Sequence, residues 1–147
     1  MKKTQDIHIV IVSSSFREEV ANNLEKNCIE TLIQKGVKKS NISLVRVPGS
    51  LEIPLVAKRV AKKGDVDAII TFGAIVKGET YHFEQIANEC ARLCMQVSYD
   101  FEIPVIFEVL AVYDLQHAVD RATRKQENKG VEAALAALEM IRVLKTL

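Results

Sequence analysis

Apolar residues fall along this chain in two alternating patterns. Largely apolar runs occur at Ile7–Val12, Ile42–Val47, Asp67–Gly73 and Ile103–Leu110. Each is followed by a stretch in which apolar residues recur at three- and four-residue spacing. A short run apolar on both sides suits a strand inside a parallel sheet, and the longer spacing suits an amphipathic helix. Ser15 and Glu18 have capping-box spacing, so a first helix is predicted from Phe16, with Val20, Leu24, Cys28 and Leu32 buried and Gly36 as its stop. A second stripe, Leu55, Val56, Val60 and Ala61, ends near Gly64, and Pro54 fits the first turn, where its missing N–H costs nothing. A third, Phe83, Ile86, Ala87, Cys90, Cys94 and Val97, predicts a helix from about Phe83 to Phe101. A short helix over Leu115–Ala122 should turn Leu115, Ala118, Val119 and Ala122 inward. The last helix opens at Asn128-Lys-Gly130 and should bury Val131, Ala134, Leu135, Leu138 and Ile141.

Strand and helix thus alternate four times, with an extra helix pair at the end. That order argues for an α/β fold with a parallel sheet covered by helices on both faces. The expected architecture is a three-layer α/β/α sandwich of flavodoxin-like type, its four strands in the order 2-1-3-4. Right-handed crossovers would put the loops after Val12, Val47, Phe72 and Phe107 on one sheet edge, where open α/β folds bind ligands.

The length of 147 residues and a hydrophobic content of 48% fit one domain, residues 1–147, with a single sizeable core. A net charge of +1 gives no general attraction to nucleic acid or anionic membrane, and the absence of Trp argues against a base-stacking surface. No apolar run approaches the ~20 residues that span a bilayer. Met1-Lys-Lys before Ile7–Val12 faintly mimics a leader, but the run is short and meets Ser13-Ser-Ser15 with no small-residue cleavage site. Cys28, Cys90 and Cys94 lack metal-type spacing, and the last two fall one helical turn apart on an apolar stripe. They read as reduced core residues of a cytoplasmic protein.

The stretch Gly73-Ala-Ile-Val-Lys-Gly-Glu-Thr-Tyr-His-Phe83 joins a strand to a helix and concentrates the candidate chemistry. Its glycines let backbone N–H groups approach an anion, the helix start adds favourable partial charge, and His82 can move a proton near neutral pH. On the residues alone, a histidine before a helix also serves as a surface or capping group, and Lys77 and Glu79 as solvated turn charges. The loop lacks the G-K-[ST] ending of a P-loop. Phe16, at the mouth of the first strand, reads either as a contact on the helix end or as an aromatic face for a ligand. Glu52 lies where any helix start favours a carboxylate. Phe107 reads as core or as a pocket residue. Arg121, Lys125 and Lys129 recur every fourth residue, flanked by Arg124, which on a continuous helix aligns them as a solvated basic face or an anion site. His8 reads as a strand-end or packing residue and His117 as solvent-facing.

Gly73-Ala-Ile-Val-Lys-Gly-Glu-Thr-x-His-Phe83 resembles the signature loop of the lumazine synthases of riboflavin biosynthesis. Pro48-Gly-Ser-Leu-Glu-Ile-Pro54 resembles their Pro-Gly-[Ala/Ser]-x-Glu-[Ile/Leu]-Pro motif, and matching stretches follow in the same order over nearly the whole chain. The resemblance implies condensation of 5-amino-6-(D-ribitylamino)uracil with 3,4-dihydroxy-2-butanone 4-phosphate, and it implies no metal and no organic cofactor. It implies that Phe16 stacks on the pyrimidine, that Ser50 and Leu51 contact its polar groups, and that Glu52 accepts from the ribityl hydroxyls. Ala74, Ile75 and Val76 belong to the same subsite. Gly78, Glu79, Thr80 and Arg121 hold the phosphate, and His82 shuttles the proton. Members assemble as homopentamers, some as 60-subunit icosahedral shells, with Phe107, Arg121 and Lys129 lent to a neighbour's site; here the expectation is the pentamer.

The chain departs from the family pattern at Leu51, where many members carry an aromatic, and at Glu108, where a small residue is usual. It departs again at Ala111-Val-Tyr-Asp114, where the turn is usually Thr-rich, and at Thr123 and Glu127, where glycines are usual. The replaced glycines suggest a more helical turn there and leave the role of Lys125 open. Rival readings are an archaeal-type riboflavin synthase, disfavoured by the retained Gly78–Thr80 and Arg121, and a non-catalytic shell or flavin-binding protein, disfavoured by the retained His82 and Glu52. A response-regulator-like module lacks its acidic cluster, since Ser13-Ser-Ser15 stands there.

Overall fold

Four parallel strands make the sheet: β1 (Ile9–Ser14), β2 (Ile42–Val47), β3 (Ala68–Val76) and β4 (Val105–Val112), in the order β2-β1-β3-β4. The computed structural model describes residues 2–147; Met1, where the leader-like pattern begins, lies outside the described residues. Five α-helices follow the strands in turn: α1 (Glu18–Gln34), α2 (Ile53–Lys63), α3 (His82–Phe101), α4 (Leu115–Thr123) and α5 (Lys129–Leu144). The pleat of β1 divides the core. Ile9 and Ile11 face a cluster shared with α1, α4 and α5, while Val10 and Val12 face one shared with α2 and α3. This is the α/β/α sandwich that the apolar pattern predicts.

The element boundaries differ from expectation in a consistent direction. β1 begins at Ile9 and runs on through Ser13 and Ser14, both buried and paired, Ser13 with Arg46 and Phe72 and Ser14 with Val47. β3 continues past Gly73 to Val76, and β4 takes in Ala111 and Val112. Ladder pairing satisfies backbone groups whatever the side chain, so polar and glycine residues extend strands that an apolar run underestimates. α1 begins at Glu18 and not at Phe16: the Ser15 hydroxyl donates to the Val47 carbonyl at 3.2 Å, tying the ends of β1 and β2 together in place of capping the helix.

Three apolar residues expected inside face out. Leu55 is 69% exposed, and Leu115 and Leu135 are also exposed, whereas Ile53, Pro54 and Ala57 bury the face of α2. Val20, Leu24, Cys28 and Leu32 of α1 are buried as expected. All three cysteines are buried and unpaired, and burial pushes the Cys28 thiol up to about 12. Among the described residues no helix is long and apolar enough to cross a membrane.

The tightest seam lies between α1 and α5. A Cβ on Gly130 would sit 2.5 Å from the Leu24 carbonyl oxygen and 3.0 Å from the Asn27 Cβ. Backbone cannot yield there as a flexible side chain would. Gly130→Ala should therefore destabilise the protein by about 2 kcal/mol, lowering Tm by roughly 5 °C in a thermal melt, with the secondary-structure content of the folded state unchanged.

Candidate functional site

The ends of β1, β2 and β3 open into a cleft of about 440 Å³ at the carboxyl edge of the sheet. One wall is Phe16 and Arg17, which leave β1, together with Gly49–Glu52, which leave β2 in a short 3-10 turn before α2. The floor and second wall are Ala74–Val76 at the end of β3, then Gly78, Thr80, His82, Phe83 and Ile86. Phe16, Ser50, Leu51, Glu52, Ala74, Ile75, Val76, Gly78, Thr80 and His82 therefore line one cavity, although the sequence scatters them over three stretches.

Local contacts explain the shape. Ser50 is buried, and its carbonyl accepts both the Ile53 N–H and the Cys90 thiol, the latter at 3.2 Å. Beneath it, a Cβ on Gly73 would sit 2.9 Å from the Ser50 Oγ and 3.3 Å from the Ser14 Cβ, so glycine lets the turn settle on β3. Gly49 likewise leaves room for the Glu52 carboxylate, which a Cβ there would meet at 3.2 Å. Phe16 is 72% exposed, an apolar ring at the cleft mouth with the Arg17 guanidinium 5.2 Å from its centre. Arg17 Nε is itself buried with no hydrogen-bond partner.

The segment after β3 is exposed, and His82 is the first residue of α3, its N–H 3.4 Å from the Thr80 hydroxyl oxygen. Lys77 pairs with Glu84 at 3.1 Å, across the loop. The Glu84 carboxyl is held below the usual range by its own backbone N–H and by Lys77, against a smaller opposing effect of burial. Glu79 is exposed in this loop and does not line the cleft. A carboxylate repels phosphate, so only its backbone can serve an anion.

Sequence reasoning missed Arg17, Gly49, Phe83 and Ile86. Arg17 and Gly49 adjoin residues already singled out, and that adjacency was the available signal. Phe83 and Ile86 have the helical spacing of core residues; both are half-buried, packed against the cluster of α2 and α3 while also lining the cleft.

Phe107, Arg121 and Lys129 do not reach this cleft. Phe107 is half-buried on β4 against the cluster of α2 and α3. The cations share no helical face, because α4 ends at Thr123 and α5 starts at Lys129. Contrary to the more helical turn expected, Glu127 stands at φ 52°, the left-handed region that favours glycine. Asn128 holds this break: its side chain donates to the Ala122 and Arg124 carbonyls and accepts from the Gly130 and Val131 amides. Arg121 donates to the His117 carbonyl at 3.0 Å, and Lys129 pairs with Glu132 at 2.7 Å. Lys125 is exposed. His8 and His117 are exposed and do not line this cleft.

Glu108 points to the opposite face of β4 from Phe107, toward α5. Burial raises its pKa, while Lys129 opposes that rise and Glu132 adds to it. The Lys129 ammonium is stabilised in turn, first by Glu132 and less by Glu108. No group of three or more His, Cys, Asp and Glu side chains among the described residues is arranged to hold a metal ion.

A family model described as 6,7-dimethyl-8-ribityllumazine synthase matches residues 6–145 of the chain. The match takes in every residue of the cleft.

A carboxyl whose folded pKa is raised contributes stability at low pH and loses it as pH rises through the folded pKa. Glu108→Gln should therefore raise Tm at pH 7. The gap over wild type should shrink as pH falls toward the ordinary carboxylate range, where both carry a neutral group. Thermal melts across pH check this, and a Tm gain that persists unchanged at low pH would rule it out.

Proposed function

The chain belongs to the 6,7-dimethyl-8-ribityllumazine synthase family, transferases of riboflavin biosynthesis, and we propose that it condenses 5-amino-6-(D-ribitylamino)uracil with 3,4-dihydroxy-2-butanone 4-phosphate. The observation that supports this most is the convergence of Phe16, Ser50–Glu52 and the Gly78–His82 loop on one cleft. An exposed aromatic face, an acceptor-only carboxylate and an exposed loop at a helix start suit, respectively, a flat heterocycle, a polyol and a phosphate.

The reaction follows from the groups present. The 5-amino group adds to the ketone and water leaves, giving an imine. Loss of an adjacent proton expels phosphate. The enol left behind tautomerises, turning the carbon that bore the 3-hydroxyl into a ketone; the ribityl-bearing nitrogen then closes on that new carbonyl, and a second water leaves. No electrons are transferred overall, so the chemistry calls for no redox cofactor. His82 is the proton carrier at the cleft wall. Ala74–Val76 form the floor beneath the ring, and Leu51 supplies apolar contact where an aromatic is commoner in the family. Much of the rate comes from holding two substrates together.

Arg121, Lys129 and Phe107 enter this reading through a second copy of the chain. They lie outside their own cleft, and a neighbour seated against the sheet edge would offer Arg121 to the phosphate and Lys129 and the Phe107 backbone to the pyrimidine. The assembly proposed is a homopentamer. Exposed Leu51, Leu55 and Tyr81 give such a neighbour apolar surface to cover. The buried, unpaired cysteines suit the reducing cytoplasm.

Purified protein given both substrates should form the fluorescent lumazine well above the rate of a protein-free control. A rate equal to that control, from a folded assembly, would overturn the reading. His82→Ala should slow turnover about a hundredfold without abolishing it, because positioning survives the loss of the proton carrier. Arg121→Ala should raise the KM of the phosphate substrate about tenfold and leave the KM of the pyrimidine nearly unchanged.

A further inference from the structure

The loop between β3 and α3 is fastened by side chains that do not themselves line the cleft. Lys77 is the first residue after β3, Tyr113 the first after β4, and Glu84 sits in the first turn of α3. The Lys77 ammonium lies 3.1 Å from a Glu84 carboxylate oxygen and 5.5 Å from the centre of the Tyr113 ring. The Tyr113 ring in turn lies 6.0 Å from that of Phe83, tilted by 38°. The Lys77 N–H donates to the Val112 carbonyl at 2.9 Å, which brings the β4 end beside the loop.

This matters because the loop has little packing of its own. Residues 77–82 are all exposed, and a Cβ on Gly78 would meet nothing. An exposed segment that begins and ends on rigid elements keeps one shape only if its base is closed. The ion pair closes the base from inside. Tyr113 covers it from outside, touching Lys77 on one side and Phe83, a cleft-lining residue next to His82, on the other. Tyr113 is 75% exposed and belongs to neither core cluster, so its ring does not hold up the fold.

We propose that Tyr113 is a positioning residue: by covering Lys77 and Phe83 it holds the Lys77–His82 loop in the shape that presents its backbone amides and the His82 imidazole to the cleft. The inference rests on the reading of that loop as the wall that handles phosphate and proton. It gives a role to a residue of the stretch Ala111–Asp114, the end of β4 and the two residues after it, which departs from the family pattern. Tyr113 works through the loop and touches no substrate.

The test uses the full chain with Tyr113→Ala, Tyr113→Phe and Glu84→Gln. Inorganic phosphate binding is measured by calorimetry, and KM is measured for each substrate. Tyr113→Ala should weaken phosphate binding and raise the KM of the phosphate substrate roughly fivefold, with the KM of the pyrimidine unchanged. Tyr113→Phe keeps the ring and should behave as wild type, whereas Glu84→Gln should follow Tyr113→Ala. Tm should stay within about 1 °C of wild type in both Tyr113 variants, as expected of an exposed position. Equal changes in both KM values, an unaffected Tyr113→Ala, or a Tyr113→Phe as impaired as Tyr113→Ala would each overturn the proposal. If the wild type binds phosphate but forms no lumazine, the proposed reaction fails while phosphate binding alone decides the role of Tyr113. If it does neither, both fall together.

Discussion

A four-stranded parallel sheet must be covered on both faces, and the rest of this molecule follows from that constraint. Parallel neighbours need a crossover, and the right-handed crossover sends each connecting helix to a determined face. α1, α4 and α5 cover one side and α2 and α3 the other. All four strands then end on the same edge. With β1 in the middle of the order, the chain leaves β1 and β3 in diverging directions, and the space between the departing segments is the cleft. Burial of Ile9, Ile11, Ile69, Ile70 and Phe72 stabilises the sheet, and the same packing holds the cleft walls on fixed supports.

Close approach of backbone at the cleft floor is the second requirement. The turn at Ser50–Glu52 lies on β3 only because Gly73 has no side chain, and it is held from below by the Cys90 thiol. Cys90 is therefore part of the cleft's support as well as of the core. Buried beside Cys94, it stays a thiol and acts as a weak donor, so its reactivity does not enter. The opposite wall is built differently. The loop carrying Gly78, Thr80 and His82 is exposed and depends on a surface cluster of one ion pair and two aromatic rings. The turn at Ser50 is thus held by buried contacts, and the wall carrying Gly78, Thr80 and His82 by surface contacts that are individually weak.

At the far edge of the sheet, the chain spends a fully satisfied buried asparagine on a helix break. Asn128 uses both ends of its amide to join α4 to α5, and Asn27 of α1 adds a donor to the Ala122 carbonyl. That junction fixes Arg121 before the break and Lys129 after it. Glu108 enters this cationic region from β4, where it is costly to bury and eased by Lys129. The charges around Lys129 therefore balance within one chain before any substrate or second copy is considered.

Periodicity was enough for the layers and the buried face of α1, because hydrophobic burial is averaged over many residues and tolerates local exceptions; the strand order came with the expected flavodoxin-like fold type. Motif spacing was enough for the residues flanking each strand end, since a strand fixes where its next residues must emerge. Ser13, Ala74 and Ala111 fall outside the strands that the apolar runs predict, because pairing depends on backbone neighbours that a sequence does not display. The even spacing of Arg121, Lys125 and Lys129 suggested one helical face; a left-handed residue at Glu127 and the Asn128 bonds break it, and both depend on contacts with α1 and α4. Leu55 looked like core, yet α2 is rotated by the burial of Ile53 and Ala57 against the sheet. Sequence determined which residues could serve a site. Only tertiary packing decided which of them share a cleft, because that depends on the faces the helices present once the sheet is covered.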